Sequence, residues 1–209
     1  MISRTFSRVL SALAVMVLAA PLAAAELEID RAAKAVAGKE AQFTQSFTPK
    51  GFKKAQVERG VVLFGTLPQM RWTYQAPEQK IFVFDGTRSS FFVPADRQVT
   101  VATVDDAARR DLPFLLLGDA AARGRNFKVS EKRQGNLVIT TLQARNAAGM
   151  VRSATIMITP ADHLVRRIDY SDRVGNRTSF ELSGYHPQIV SSDAFRFIPP
   201  AGVKVVQAQ

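Results

Sequence analysis

The chain has 209 residues, no cysteine, 28 basic against 18 acidic residues, and a formal net charge of +10. The missing cysteine excludes disulfides, thiol catalysis, thiolate metal sites and lipid attachment at a cleavage-site cysteine. The positive excess points to anionic surfaces such as phospholipid headgroups. It does not point to nucleic acid, because the basic residues are scattered (Lys53 and Lys54, Arg109 and Arg110, Lys132 and Arg133, Arg166 and Arg167) rather than gathered in one stripe with aromatics between.

Arg4 and Arg8 precede an apolar run from Val9 to Ala20, then Pro21 and Ala23 to Ala25 before Glu26. This is the pattern of a secretory signal peptide over residues 1–25, cleaved after Ala25, and it is too short to span a bilayer. The signal holds two of the 28 basic residues and none of the acids, so the mature chain keeps an excess of eight positive charges. Residues 26–209 have the length of one domain able to bury its own core, exported and soluble.

Glu26 to Ala41 is rich in Ala, Lys and Glu, and predicts a short amphipathic helix ended near Gly38. Gln42 to Phe47 reads as a first strand, and Pro49-Lys50-Gly51 as a turn. From Val57 through Val101, short runs of β-branched and aromatic residues are cut by Leu67-Pro68, Ala76-Pro77, Asp85-Gly86 and Pro94, the rhythm of an antiparallel meander. Ile81 to Phe84 and Phe91 to Val93 are apolar on both faces, whereas a sheet with one wet face alternates. Two readings account for this: a sandwich or helix packed on the sheet, or a curved sheet whose inner face lines an apolar cavity.

Asp105 to Ala122 breaks the pattern with Leu112-Pro113-Phe114-Leu115-Leu116-Leu117, then Gly118, and predicts two short helices joined near that glycine. A helix this apolar must cover something apolar, either as a plug in the core or as a lid. Strands resume over 127–131, 136–142, 153–159, 164–170 and 178–183. Alternation places Arg152, Ala154, Ile156 and Ile158 on one face, and sets Leu164, Arg166, Ile168 and Tyr170 against Val165, Arg167 and Asp169. The Val-rich tail after Pro199-Pro200 is a candidate edge strand.

No catalytic constellation is visible. His163 and His186 stand far apart without carboxylates at metal spacing, and read as surface residues. Asp85 and the Asp105-Asp106 pair read as turn and helix-start residues. There is no phosphate loop or serine-nucleophile elbow, and no metal or cofactor is expected.

The order of these parts resembles the periplasmic outer-membrane lipoprotein carriers of the LolA family. The resemblance rests on a cysteine-free signal, a short helix leading into QFTQSF, Trp72, Tyr74, Pro77 and Gly86 in series, Gln98-Val99, the Pro113 to Leu116 segment, and a closing FRFIPPAGV from Phe195 to Val203. It implies a mainly β fold with α (α+β), an unclosed, curved antiparallel half-barrel capped by short helices. It further implies a monomeric carrier, not an enzyme, taking lipoprotein acyl chains from an inner-membrane ABC transporter (LolCDE-like) to an outer-membrane receptor (LolB-like). Met70, Trp72, Phe82, Phe84, Phe91 and Phe92 of the sheet, with Phe114, Leu115, Leu116 and Leu117 of the lid, are then the expected acyl-chain site. The stretch just before Trp72 departs from the family. Where relatives carry an Arg-Pro pair whose arginine ties sheet to lid, this chain has Thr66 and Leu67, with Pro68 one position late. Met70 stands where an aromatic follows in the family. The departure leaves open a paralogue that carries or senses a free lipid or glycolipid. A secreted hydrolase on the same scaffold is the reading from another class.

Overall fold

The computed structural model describes residues 26–105, 115–146 and 149–208. The expected signal peptide and its cleavage after Ala25, and Phe114 with the start of the apolar insertion, lie outside these residues.

Helix α1 spans Glu28–Val36. Its Ile29, Ala32 and Val36, spaced to fall on one stripe, are fully buried, while Glu28 and Asp30 in the first turn and Lys34 in the last complement the helix dipole. Leu27 at the N-cap offers no side-chain acceptor. Glu131, from the distant strand β7 (Phe127–Gln134), fills that role: its carboxylate accepts from the backbone N–H of Glu28 at 2.8 Å and of Ile29 at 3.0 Å, and the Thr140 hydroxyl donates to it at 2.7 Å. Substitution of Glu131 by alanine is expected to destabilise the protein by about 1–2 kcal/mol, as loss of a helix cap does. The accompanying sign is faster hydrogen exchange at the Glu28 and Ile29 amides, with the rest of the sheet unchanged.

The other strands are β1 (Lys39–Thr48), β2 (Gln56–Phe64), β3 (Met70–Ala76), β4 (Lys80–Phe84), β5 (Arg88–Val93) and β6 (Gln98–Thr103), then β8 (Leu137–Ala144), β9 (Val151–Thr159), β10 (Leu164–Asp172), β11 (Arg177–Pro187) and β12 (Lys204–Gln207). Among the described residues they form one curved sheet in the order β12-β6-β5-β4-β3-β2-β1-β11-β10-β9-β8-β7. Every pairing is antiparallel except β12 on β6. The edges β12 and β7 do not meet, so the half-barrel stays unclosed. The predicted helix, meander, second strand series and edge strand are all present.

Two predicted face assignments are corrected. Arg152 is exposed and Val151 is buried beside Ala154 and Ile156, because the β9–β10 register shifts between Ser171 and Asp172. Val165 likewise turns into the core opposite Ile158, where a shift between Val165 and Arg167 breaks strict alternation. One extra residue in a strand exchanges the faces beyond it.

The double apolarity of the meander has a direct cause. One face of β3 and β4, with Met70 opposite Phe84 and Trp72 opposite Phe82, lies in the main core with α1. The other face carries Ile81, Phe92 and Val99 in cross-strand register, and the chain leading to β12 covers it. Phe92 meets Phe197 with ring centroids 5.2 Å apart, Arg71 donates to the Ala194 carbonyl at 3.3 Å, and Phe195 is buried beside Gly65. The sheet is therefore sandwiched locally, with helices inside and the C-terminal segment outside.

Gly60 marks the tightest point of β2. A Cβ there would stand 2.0 Å from the Thr73 carbonyl oxygen and 2.9 Å from the Phe43 ring. Since the first clash is with backbone, Gly60→Ala is expected to lower stability by about 1–3 kcal/mol or more, read as a reduced urea midpoint with unchanged slope.

Candidate functional site

The concave face of the sheet is built around aromatics. Trp72 packs edge-on against Phe43 at 5.0 Å and tilted against Phe180 at 5.0 Å, and Phe64 closes the group at 6.4 Å. Phe43 also meets Tyr74 at 4.9 Å. The Tyr74 hydroxyl donates to Gln45 at 2.8 Å; burial, reinforced by the Glu58 charge, pushes its pKa up, so the phenol stays neutral.

Two short helices close over this face. Helix α2 (Leu115–Gly118) buries all three of its leucines in the same cluster as Met70, Trp72, Phe82 and Phe84. Gly118 sits on the Leu67-Pro68 turn so closely that a Cβ would be 3.1 Å from Pro68 Cα and 3.2 Å from Leu67 Cβ. Helix α3 (Ala120–Asn126) starts at Asp119, whose carboxylate accepts from the Ala122 N–H at 2.8 Å.

Arg123 of α3 fastens the lid. Its side chain is only 2% exposed, and the guanidinium donates to the carbonyls of Leu116 at 3.0 Å and Leu117 at 3.1 Å and pairs with the Asp30 carboxylate on α1. A planar fork of donors suits this set, since one end satisfies helix-terminal carbonyls and the other a carboxylate. The missing cation at Thr66 was the available sequence signal: a latch absent from the β2–β3 turn has to come from elsewhere, and Arg123 and Arg125 are the arginines in the segment after the lid leucines.

Of the residues expected at the site, Met70, Trp72, Phe82, Phe84, Leu115, Leu116 and Leu117 come together. Phe91 pairs with Phe82 and shares its face but is 40% exposed, beyond the part that the described lid covers. Phe92 is a correction: as the next residue along β5 it points to the opposite face, against Phe197, and does not line the interior.

Among the described residues no group of three or more His, Asp or Glu side chains has the arrangement of a metal site. The two histidines have separate surroundings. His163, with φ 56° in the β9–β10 turn, pairs through Nδ1 with the buried Glu28 carboxylate instead of standing alone at the surface. His186 approaches the Gly184 carbonyl at 3.0 Å and Glu40 at 3.4 Å. The outer face between β1, β11, β10 and β9 holds a groove of about 450 Å³ lined by serines, threonines, Ala154, Tyr170, Asp169, Arg167 and Arg177. Its hydroxyls and the Arg167–Asp169 pair set it apart from the apolar cluster of the sheet and lid, which is the better match to an acyl chain.

The family model for the outer membrane lipoprotein carrier protein LolA matches residues 34–198. The chain belongs to the LolA family. This LolA-family chain is 31% identical over 209 residues to an outer-membrane lipoprotein carrier protein of Bordetella bronchiseptica, covering 96% of this chain and 97% of that one. It is 29% identical over 190 residues to the protein of the same description from Xanthomonas axonopodis pv. citri, covering 88% of each. In fold it is similar to an uncharacterized conserved protein from Thermus thermophilus, with a TM-score of 0.55 at 13% identity over 87% of this chain and 97% of the other. The family is one of carriers, and a carrier's task agrees with a site made of packing surfaces. Among the described residues, no helix of this LolA-family chain is long and apolar enough to cross a membrane.

Proposed function

We propose that the protein is a periplasmic carrier that takes the acyl chains of lipoproteins under its α2–α3 lid and passes them from an inner-membrane ABC transporter to an outer-membrane receptor. The observation that carries this reading is the seating of Leu115, Leu116 and Leu117 against Trp72 and Phe84 by a polar latch rather than by continuous sheet or covalent linkage.

The energies favour exchange. Three buried leucines contribute about 1.5–3 kcal/mol each, so lid closure hides less than roughly 10 kcal/mol of apolar surface. A long acyl chain at about 0.8 kcal/mol per methylene carries a comparable driving force, and several chains exceed it. Cargo therefore displaces the leucines, and the leucines refill the space as cargo leaves. In this scheme Met70, Trp72, Phe82 and Phe84 form the wall, Phe91 extends it at the rim, and Phe114 belongs with the lid.

Mass spectrometry of what co-purifies with the protein from its native periplasm, set beside a Leu116→Asp variant, tests the proposal. A triacylated lipoprotein bound by the parent and lost in the variant is the expected result; an empty parent protein counts against a carrier. A second reading, a LolA-like carrier or sensor of free lipid or glycolipid, draws on the absent arginine at Thr66. It predicts free amphiphile in the same experiment. Trp72 is the single tryptophan, so uptake of either cargo should change its emission, and the same titration in Leu116→Asp should be flat.

A further inference from the structure

Three loops gather at the end of the sheet opposite the Leu67-Pro68 turn: residues 49–55 after β1, residues 145–146 and 149–150 between β8 and β9, and residues 173–176 after β10. They are tied together. The Lys50 N–H donates to the Asn176 side chain at 2.9 Å, the Lys50 stem lies on Gly175, and the Arg173 guanidinium donates to the carbonyls of Gly149 and Asn146. The tip is thus a fixed surface.

Its composition is unlike the rest of the exterior. Phe52 is 68% exposed, Val174 57% and Met150 48%, three of the few large apolar side chains that stand open to water among the described residues. Around them stand exposed Lys50, Lys53, Lys54, Arg173 and Arg177. None of the three lysines nor Arg177 has a salt-bridge partner among the described residues. The loops contain no acidic residue; Asp172, at their border, turns its carboxylate inward onto the N–H groups of Gly175 and Asn176 at 2.8 Å.

We infer that this tip docks on the anionic surface of a phospholipid bilayer, with Phe52 and Val174 entering the headgroup boundary and the surrounding cations meeting lipid phosphates. Apolar side chains that protrude from a ring of lysine and arginine match such a surface on both counts, since each cation near an anionic leaflet adds attraction and each inserted apolar group leaves water. A protein partner of ordinary chemistry would require acids complementary to the ring and a hollow for Phe52. The bilayer supplies both without specific fit. The inference does not rest on the carrier reading, because it uses exposed loop side chains and not the apolar cluster under the lid.

Flotation of the mature protein with vesicles tests it, comparing phosphatidylglycerol mixed into phosphatidylcholine with phosphatidylcholine alone. The protein is expected to float with the anionic vesicles and to be released by salt. Lys53→Gln with Lys54→Gln should weaken binding roughly 25-fold, at about fivefold per lysine. Phe52→Ser should weaken it about tenfold. These positions are exposed, so thermal melts should match the parent protein. Binding equal on both vesicle types, or unaltered by the variants, would overturn the inference. So would a concentration-dependent dimer in sedimentation that Phe52→Ser abolishes, which would assign the tip to a second copy of the chain.

Discussion

Replacing Arg123 by alanine is expected to release the α2–α3 lid while the sheet remains folded. The guanidinium is nearly without solvent contact, whereas Asp30 keeps 28% of its side-chain surface exposed. Loss of the arginine therefore leaves the Leu116 and Leu117 carbonyls without their donor and leaves a carboxylate that water can partly recover. Breaking a buried ion pair from one side typically costs about 3–5 kcal/mol. That is about a hundred- to several-thousandfold in the local opening equilibrium, and it should appear as faster hydrogen exchange confined to residues 115–126. Asp30→Asn should have a smaller effect, since an amide oxygen still accepts from the guanidinium. Arg123→Lys should fall between, because one ammonium cannot serve three acceptors in a plane. The variant should also bind acyl chains more tightly, as closure no longer competes as strongly with cargo. Unaltered exchange in the lid, or a uniform rise across the whole sheet, would remove Arg123 from the role of latch.

Phe43→Ala is expected to act on the whole molecule instead. Phe43 is 2% exposed and touches Trp72, Tyr74 and Phe180 with centroids 5.0, 4.9 and 6.2 Å away. Truncation of a buried phenylalanine costs about 3–5 kcal/mol. Lost edge-to-face contacts account for roughly 0.5–1.5 kcal/mol of coupling per pair. The strand that carries it pairs on both sides, with β2 and with β11, so the loss cannot be confined to one element. A lower urea midpoint, read by the retained Trp72 and by circular dichroism at the same denaturant concentration, is the expected outcome. A loss under about 1 kcal/mol, well short of the cost of truncating a buried ring, would show that the aromatic group is not the centre of the fold. The contrast between local release at Arg123 and global loss at Phe43 separates lid from wall.

Strand-by-strand structure was legible in the sequence because it is written in local chemistry. Proline, glycine and aspartate cut the chain between Phe64 and Gln98 at the turns actually seen; at one of them the Asp85 carboxylate accepts from the Arg88 and Thr87 N–H groups at 2.7 and 2.8 Å. The lid leucines were legible for the same reason, as an apolar run out of step with its neighbours. The face of Phe92 was not, since Phe91 and Phe92 are chemically alike and only the pairing of β5 with β4 and β6 decides which points inward. The bulges at Arg166 and near Arg152 escaped for a similar reason: an alternation rule assumes an unbroken register.

By itself, then, the sequence determined the elements, their order, the apolar insertion and the absence of a family arginine at Thr66. Only the tertiary structure decided what holds these parts together. Glu131 caps α1 from 103 residues away, Arg123 reaches Asp30 across 93, and the segment around Phe197 covers a strand face that would otherwise be wet. Such contacts depend on which distant side chains the curving sheet brings within hydrogen-bond or van der Waals reach, and no periodicity along the chain encodes that distance.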